Sequence, residues 1–196
     1  MDTAQLHHRA VAFWDGVVAS VAADQWHAPT PCSEWDLRAL VNHVVAEELW
    51  TAPLLGGATI AEVGDRFDGD VLGSDPVARA RAAASEAATA VDGVQPGTRV
   101  HLSYGEEDAD EYVRQLAADH LIHGWDLAAA TGQDRTMAAE LVDAVATWFV
   151  GREQLYRDAG VTGPRAAGSG SPQADLLAAF GRDHQWQAER GISSRR

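Results

Sequence analysis

The sequence has no lysine; all 15 of its basic side chains are arginine. Against 29 acidic residues they leave a formal net charge of −14. That balance argues against a nucleic-acid or anionic-membrane partner, because both need clustered cations. The single cysteine, Cys32, excludes an internal disulfide. No apolar run approaches the roughly 18 residues of a membrane span, and the N-terminus lacks a charged-then-apolar leader pattern. A soluble, cytoplasmic chain with no membrane partner is the expectation. A Gly-rich phosphate loop and a G-x-S-x-G nucleophile elbow are also missing. Runs of β-branched residues are few and alanine is abundant, which points to helices. What is present is 196 residues with 46% apolar content, enough for one domain with a full core. The expected division is a single domain over 1–186 and a disordered tail over 187–196.

Periodicity divides the chain into helices. Thr3 to Ala23 carries a stripe of Leu6, Ala10, Phe13, Trp14, Val17, Val18 and Val21, with Thr3 as N-cap and His7 and His8 as solvated or rim residues of the first turn. Pro29 and Pro31 hold the next connection out of helix. Ser33-Glu34-Trp35-Asp36 fits a capping box, and the helix that follows presents Leu37, Leu40, Val41, Val44, Val45 and Leu49. His43 and Glu47 lie on a stripe at the edge of that face. Pro53 to Asp75 reads as a solvated loop, since Asp65, Asp68 and Asp70 do not match a calcium loop. Asp75-Pro76 starts a third helix that ends near Val91. Arg99 to Tyr104 reads as a short extended piece or a crossover, with no role assigned to His101. A fourth helix from about Asp108 to Thr131 is closed by Gly132, a fifth runs from Met137 to Asp158, and Ser171-Pro172 starts a short one through Phe180. The fold class is all-α, an antiparallel helical bundle with embellishments.

The chemistry concentrates in the fourth helix. Asp119 and His123 are four residues apart, so they sit one turn apart on nearly the same face and can grip one divalent metal. Two ligands make a weak site, and His43 is the candidate third; together they give three protein ligands and an open position, as in catalytic zinc sites. Spacing equally allows His120 with His123, although His120 suits a structural hydrogen-bonding role. Asp126 is either a partner that orients a ligand or a surface carboxylate. Cys32 precedes a helix N-terminus, which can activate a thiol, but packing within its loop is the expected role. The tryptophans read as core or rim packing.

Three segments carry a family resemblance. Thr30-Pro31-Cys32-Ser33-Glu34-Trp35-Asp36-Leu37 through His43 resembles the start of the second helix in the DinB-like superfamily, and more narrowly in the metal-binding N-terminal domain of mycothiol-dependent maleylpyruvate isomerase. Asp119-His120-Leu121-Ile122-His123-Gly124-Trp125-Asp126-Leu127 resembles the family's second motif, and Phe180-Gly181-Arg182-Asp183 its C-terminal ending. The resemblance implies a DinB-like four-helix bundle, a divalent metal (zinc, or nickel) on His43, Asp119 and His123, and frequent homodimers. In two respects the chain departs from the isomerase. It has Asp119 where the family has Glu, which draws the carboxylate back by roughly 1.5 Å, and it has no counterpart to the isomerase's separate C-terminal domain. The expected function is a metal-dependent isomerase or transferase that uses a thiol, mycothiol in the family, on a small electrophilic molecule. The alternatives are a non-catalytic, dimeric metal- or small-ligand-binding bundle, in which His120 or Glu47 supplies a fourth ligand, and a metal-free bundle that holds an apolar ligand between its helices.

Overall fold

The structure, a computed structural model, describes residues 1–188. The expected tail over 187–196 therefore lies, from 189 onward, outside the described residues. Helices dominate, with one small hairpin among them. Helix α1 spans Thr3–Val18, and its cap is Asp2 rather than Thr3: the Asp2 carboxylate accepts the Gln5 N–H at 2.8 Å. The helix also stops five residues before Ala23. There the Gln25 carboxamide accepts the Ala22 N–H and donates to the Thr131 carbonyl, tying this loop to a distant helix end.

Helix α2 spans Leu37–Leu55. The expected capping box at Ser33 is not what starts it. Asp36 is the cap, accepting the Ala39 N–H at 2.9 Å, and its other oxygen meets His27 Nδ1 at 2.9 Å. Within the supposed loop that follows lies a one-turn helix, α3 (Ile60–Val63), held by a reciprocal Thr59–Glu62 capping box. Helix α4 spans Pro76–Asp92, capped by Asp75 as its Asp-Pro start predicts. Strands β1 (Arg99–Leu102) and β2 (Gly105–Asp108) form an antiparallel hairpin in which His101 faces Glu106. The hairpin runs into α5 (Ala109–Thr131), whose last turn closes on left-handed Gly132 at φ 72°.

The single helix expected from Met137 to Asp158 is two, α6 (Ala139–Phe149) and α7 (Glu153–Asp158). Gly151 weakens the continuation, and Arg152 turns aside to pair with Glu111 of α5 at 2.5 and 2.8 Å. Helix α8 (Pro172–Ala179) completes the described elements.

Helix α5 is the axis. On one side Leu121, Ile122 and Trp125 pack with Leu6 and Ala10 of α1 and with residues of α6 and α8. On the other, Leu127 and Ala128 join Trp14 and the apolar face of α2, and α4 adds Ala80 and Ala83. Among the described residues, no helix is long and apolar enough to cross a membrane.

One close approach is fixed by a missing side chain. A Cβ on Gly124 would lie 2.8 Å from two ring carbons of Phe13. Gly124→Ala therefore forces the ring or the α1–α5 spacing to give, and is expected to cost about 1–3 kcal/mol in urea unfolding. A loss below about 0.5 kcal/mol would mean that the ring swings away freely.

Candidate metal centre

Helix α5 presents Asp119 and His123 on one face, and α2 packs against it with His43 facing them. His123 Nε2 lies 3.3 Å from Asp119 Oδ1, and His43 Nε2 lies 3.5 Å from Asp119 Oδ2. One ligand atom from each residue falls within 4.8 Å of the others. Trp35, just before α2, backs both imidazoles, with ring centroids 4.7 Å from His43 and 5.8 Å from His123. The three residues line one side of a cavity of about 650 Å³.

The electrostatics of these groups are coupled. Burial alone would raise the Asp119 carboxyl, but the His123 imidazole, with the His43 ring close by, holds it well below the usual carboxylate range. Burial likewise opposes the His123 imidazolium, yet Asp119 and Asp126 hold its pKa well above the ordinary value. Even so, Asp119 Oδ2 is sheltered from solvent, and His43 Nε2 at 3.5 Å makes no well-formed hydrogen bond to it. A buried carboxylate oxygen without a well-formed hydrogen bond is costly, and is satisfied by a cation set between it and the two imidazoles.

The second nitrogen of His123 is also engaged. Its Nδ1 lies 3.0 Å from Asp126 Oδ2. Asp126 is fully buried; Arg182 reaches it from Nη2 at 2.9 Å and from Nε at 3.3 Å to each oxygen. Arg182 Nη2 is also 3.0 Å from Cys32 Sγ, and that thiol sits 3.3 Å from Asp126 Oδ2. Burial would raise the Asp126 carboxyl, but the Arg182 charge and His123 hold it down.

Cys32, His123 and Asp126 thus form a second close set of metal-binding residue types. The two sets compete for one imidazole. With Asp126 occupied by Arg182 and accepting from Nδ1, His123 keeps Nε2 for the Asp119 side, the pattern of a ligand histidine oriented by a carboxylate behind it. Of the two readings open for Asp126, the surface carboxylate is excluded: the side chain is fully buried and accepts from His123.

Cys32 and His7 depart from the sequence expectations. Rather than merely packing in its loop, Cys32 bonds Asp126 and Arg182 at the cavity wall. His7 is neither solvated nor at a rim: it is fully buried, and neither ring nitrogen has a hydrogen-bond partner. His8 of the same turn is half-exposed and pairs with Asp92 at 2.7 Å. His120 points away from the cluster, with Nε2 at 2.9 Å from buried Glu48 and Nδ1 at 2.7 Å from the Leu116 carbonyl. Glu47 lines the cavity but is not in the close set; burial, then the Asp119 charge, raises its carboxyl.

Arg182 was not singled out by spacing, because it meets Asp126 across 56 residues. Its local signal is the Gly181 before it. Gly181 has φ +77°, and a Cβ there would lie 3.2 Å from the Pro164 carbonyl oxygen, so only glycine turns the chain here and delivers the guanidinium to the cavity.

Comparison with known proteins places this geometry in a family. Two uncharacterised proteins from two strains of Mycobacterium tuberculosis are each 35% identical over 179 residues, covering 89% of this chain and 87% of the relative. No solved structure matches. The profile of the mycothiol maleylpyruvate isomerase N-terminal domain matches residues 7–128, a span that holds His43, Asp119, His123 and Asp126. The chain belongs to the mycothiol maleylpyruvate isomerase N-terminal domain family.

Proposed function

We propose that this chain is a cytoplasmic, metal-dependent enzyme of the DinB-like class that transfers or isomerises with the help of a thiol, mycothiol by the family's name. The observation that carries the reading is the convergence of His43, Asp119 and His123 on one point beside a cavity, with Asp119 Oδ2 sheltered and lacking a well-formed hydrogen bond. The long helices α1, α2, α4 and α5 would form the DinB-like four-helix bundle, and a homodimer is the working unit the resemblance implies.

Two imidazoles and a carboxylate suit a divalent ion, zinc first and nickel second. When bound, such an ion supplies Lewis acidity that lowers the pKa of a coordinated thiol. The chain's own groups do the rest. His43 and His123 offer Nε2 atoms, and Asp119 offers one negative charge. Asp126 fixes the His123 tautomer by accepting its Nδ1–H, and Arg182 holds Asp126 in turn. Trp35 and Phe180 put aromatic surface on the pocket wall, which strengthens the charge interactions beside it.

Purified chain is expected to carry about one divalent ion per protomer. His43→Ala and His123→Ala should each lose that ion with little change in helical content, and should lose mycothiol conjugation of a small electrophile. Elemental analysis beside circular dichroism reads this. Equal and negligible metal in all three proteins sinks the proposal.

A further inference from the structure

A further carboxylate lies beside the candidate metal centre, and its role rests on the thiol reading just given. Glu47 follows His43 by four residues on α2, so the two side chains sit one turn apart on nearly the same face. Helical spacing thus carries Glu47 to the wall of the cavity that His43, Asp119 and His123 also line. It stands outside the close set. One ligand atom from each of those three falls within 4.8 Å of the others, and Glu47 does not join them. That is the place of a group next to an ion's open position, not of one on the ion.

The neighbouring groups already have work. His123 turns Nδ1 to Asp126 and Nε2 to Asp119, and His43 turns Nε2 to Asp119. The Cys32 thiol bonds Asp126. Glu34, the remaining acid of the lining, is solvent-exposed. The Glu47 carboxylate is half-buried, makes no hydrogen bond among the described residues, and keeps its oxygens open to solvent. Burial, then the Asp119 charge, raises its carboxyl, which makes it a stronger base than an exposed glutamate. The titratable groups acting on it are His43 on its own helix and Tyr112, Asp119, His120 and His123 on α5.

Thiol chemistry in this cavity leaves one proton to place, because the nucleophile is the thiolate. Groups that serve as metal ligands give their lone pairs to the ion and cannot take that proton. We propose that Glu47 is the base that accepts the proton of the thiol cosubstrate. The S–H bond breaks, its electron pair stays on sulfur, and the proton forms an O–H bond on a Glu47 carboxylate oxygen, from which it later passes to solvent. On this assignment Glu47 is not a fourth ligand.

The test follows thiolate formation rather than turnover. Full-length protein loaded with cobalt(II) is mixed with mycothiol in a stopped-flow instrument, and the near-ultraviolet sulfur-to-cobalt band is timed. Glu47→Gln should keep the cobalt content of the parent and form the band about 100-fold more slowly. Glu47→Ala should be as slow, and added formate should raise its rate at least about tenfold, since a small carboxylate can stand where the side chain stood. Formate should leave the parent and Glu47→Gln unchanged, a pattern that a purely structural role does not produce. A Glu47→Gln rate within about twofold of the parent, or no response of Glu47→Ala to formate, overturns the inference. Loss of cobalt from Glu47→Gln also overturns it, because Glu47 is then a ligand. Absence of the band in the parent strikes the thiol reading itself, and the inference with it.

Discussion

Exchanging Arg182 for methionine is expected to lower the unfolding free energy by about 3 kcal/mol, seen as a lower urea midpoint with an unchanged slope. The reason is Asp126. Its side chain is 0% exposed, and Arg182 supplies its closest contact at 2.9 Å and two more at 3.3 Å. Methionine fills much of the volume but leaves the carboxylate to His123 and the Cys32 thiol. Breaking one side of a buried pair costs more than the pair contributes, because the remaining charge stays desolvated. The sign with pH follows from the depressed Asp126 pKa. Such a group contributes stability above the ordinary carboxylate value and loses it as pH falls through the lower folded value, so the defect shrinks in acid. Arg182→Lys should recover only part, since an ammonium carries the charge without the planar fork. On the metal reading, Arg182→Met also weakens ion binding about 10- to 100-fold, because His123 loses its braced partner. A stability loss under about 1 kcal/mol would mean that His123 alone satisfies Asp126.

His7 sets the second large effect. Burial, with help from His120 and His8, lowers its pKa from 6.5 to about 3. The folded chain thus holds His7 neutral while the unfolded chain protonates it, so its contribution is lost as pH falls below 6.5. His7→Leu removes that liability. Its advantage over the parent should grow by up to about 1.4 kcal/mol per pH unit below 6.5 and level off near pH 3. The comparison between the two proteins is essential. Glu47, Glu48 and Asp15 have raised pKa values, which shift stability the opposite way over part of this window. Their effects cancel in the difference. Parallel stability curves for parent and variant between about pH 6 and pH 4 would show that His7 takes up its proton without unfolding the chain.

Local signals were the legible ones. Asp75-Pro76 and Gly132 mark helix ends through chemistry that acts within one turn, and they stand where read. Asp119 and His123 face each other because helical periodicity puts them there. That His43 meets them depends on α2 lying against α5, which spacing within one helix does not encode; its place at the edge of the α2 apolar face makes it a candidate, and the resemblance points to the same residue. Long-range pairings were the illegible ones. The break between α6 and α7 follows Arg152 to Glu111, 41 residues away, and the tie from Cys32 to Arg182 spans 150. His7 was misread for a related reason. A histidine in a first turn next to a polar neighbour looks solvated until a second helix covers it, and here α5 brings the His120 ring to 5.5 Å from it.

The brace on His123 comes from a distant part of the chain. The three candidate ligands and Asp126 lie within the matched family span, which ends at residue 128, whereas Arg182 lies well beyond it. Grip on the imidazole is therefore encoded separately from the groups that would touch an ion. A substitution confined to that downstream turn would change how firmly the ring is held while leaving every candidate ligand in place.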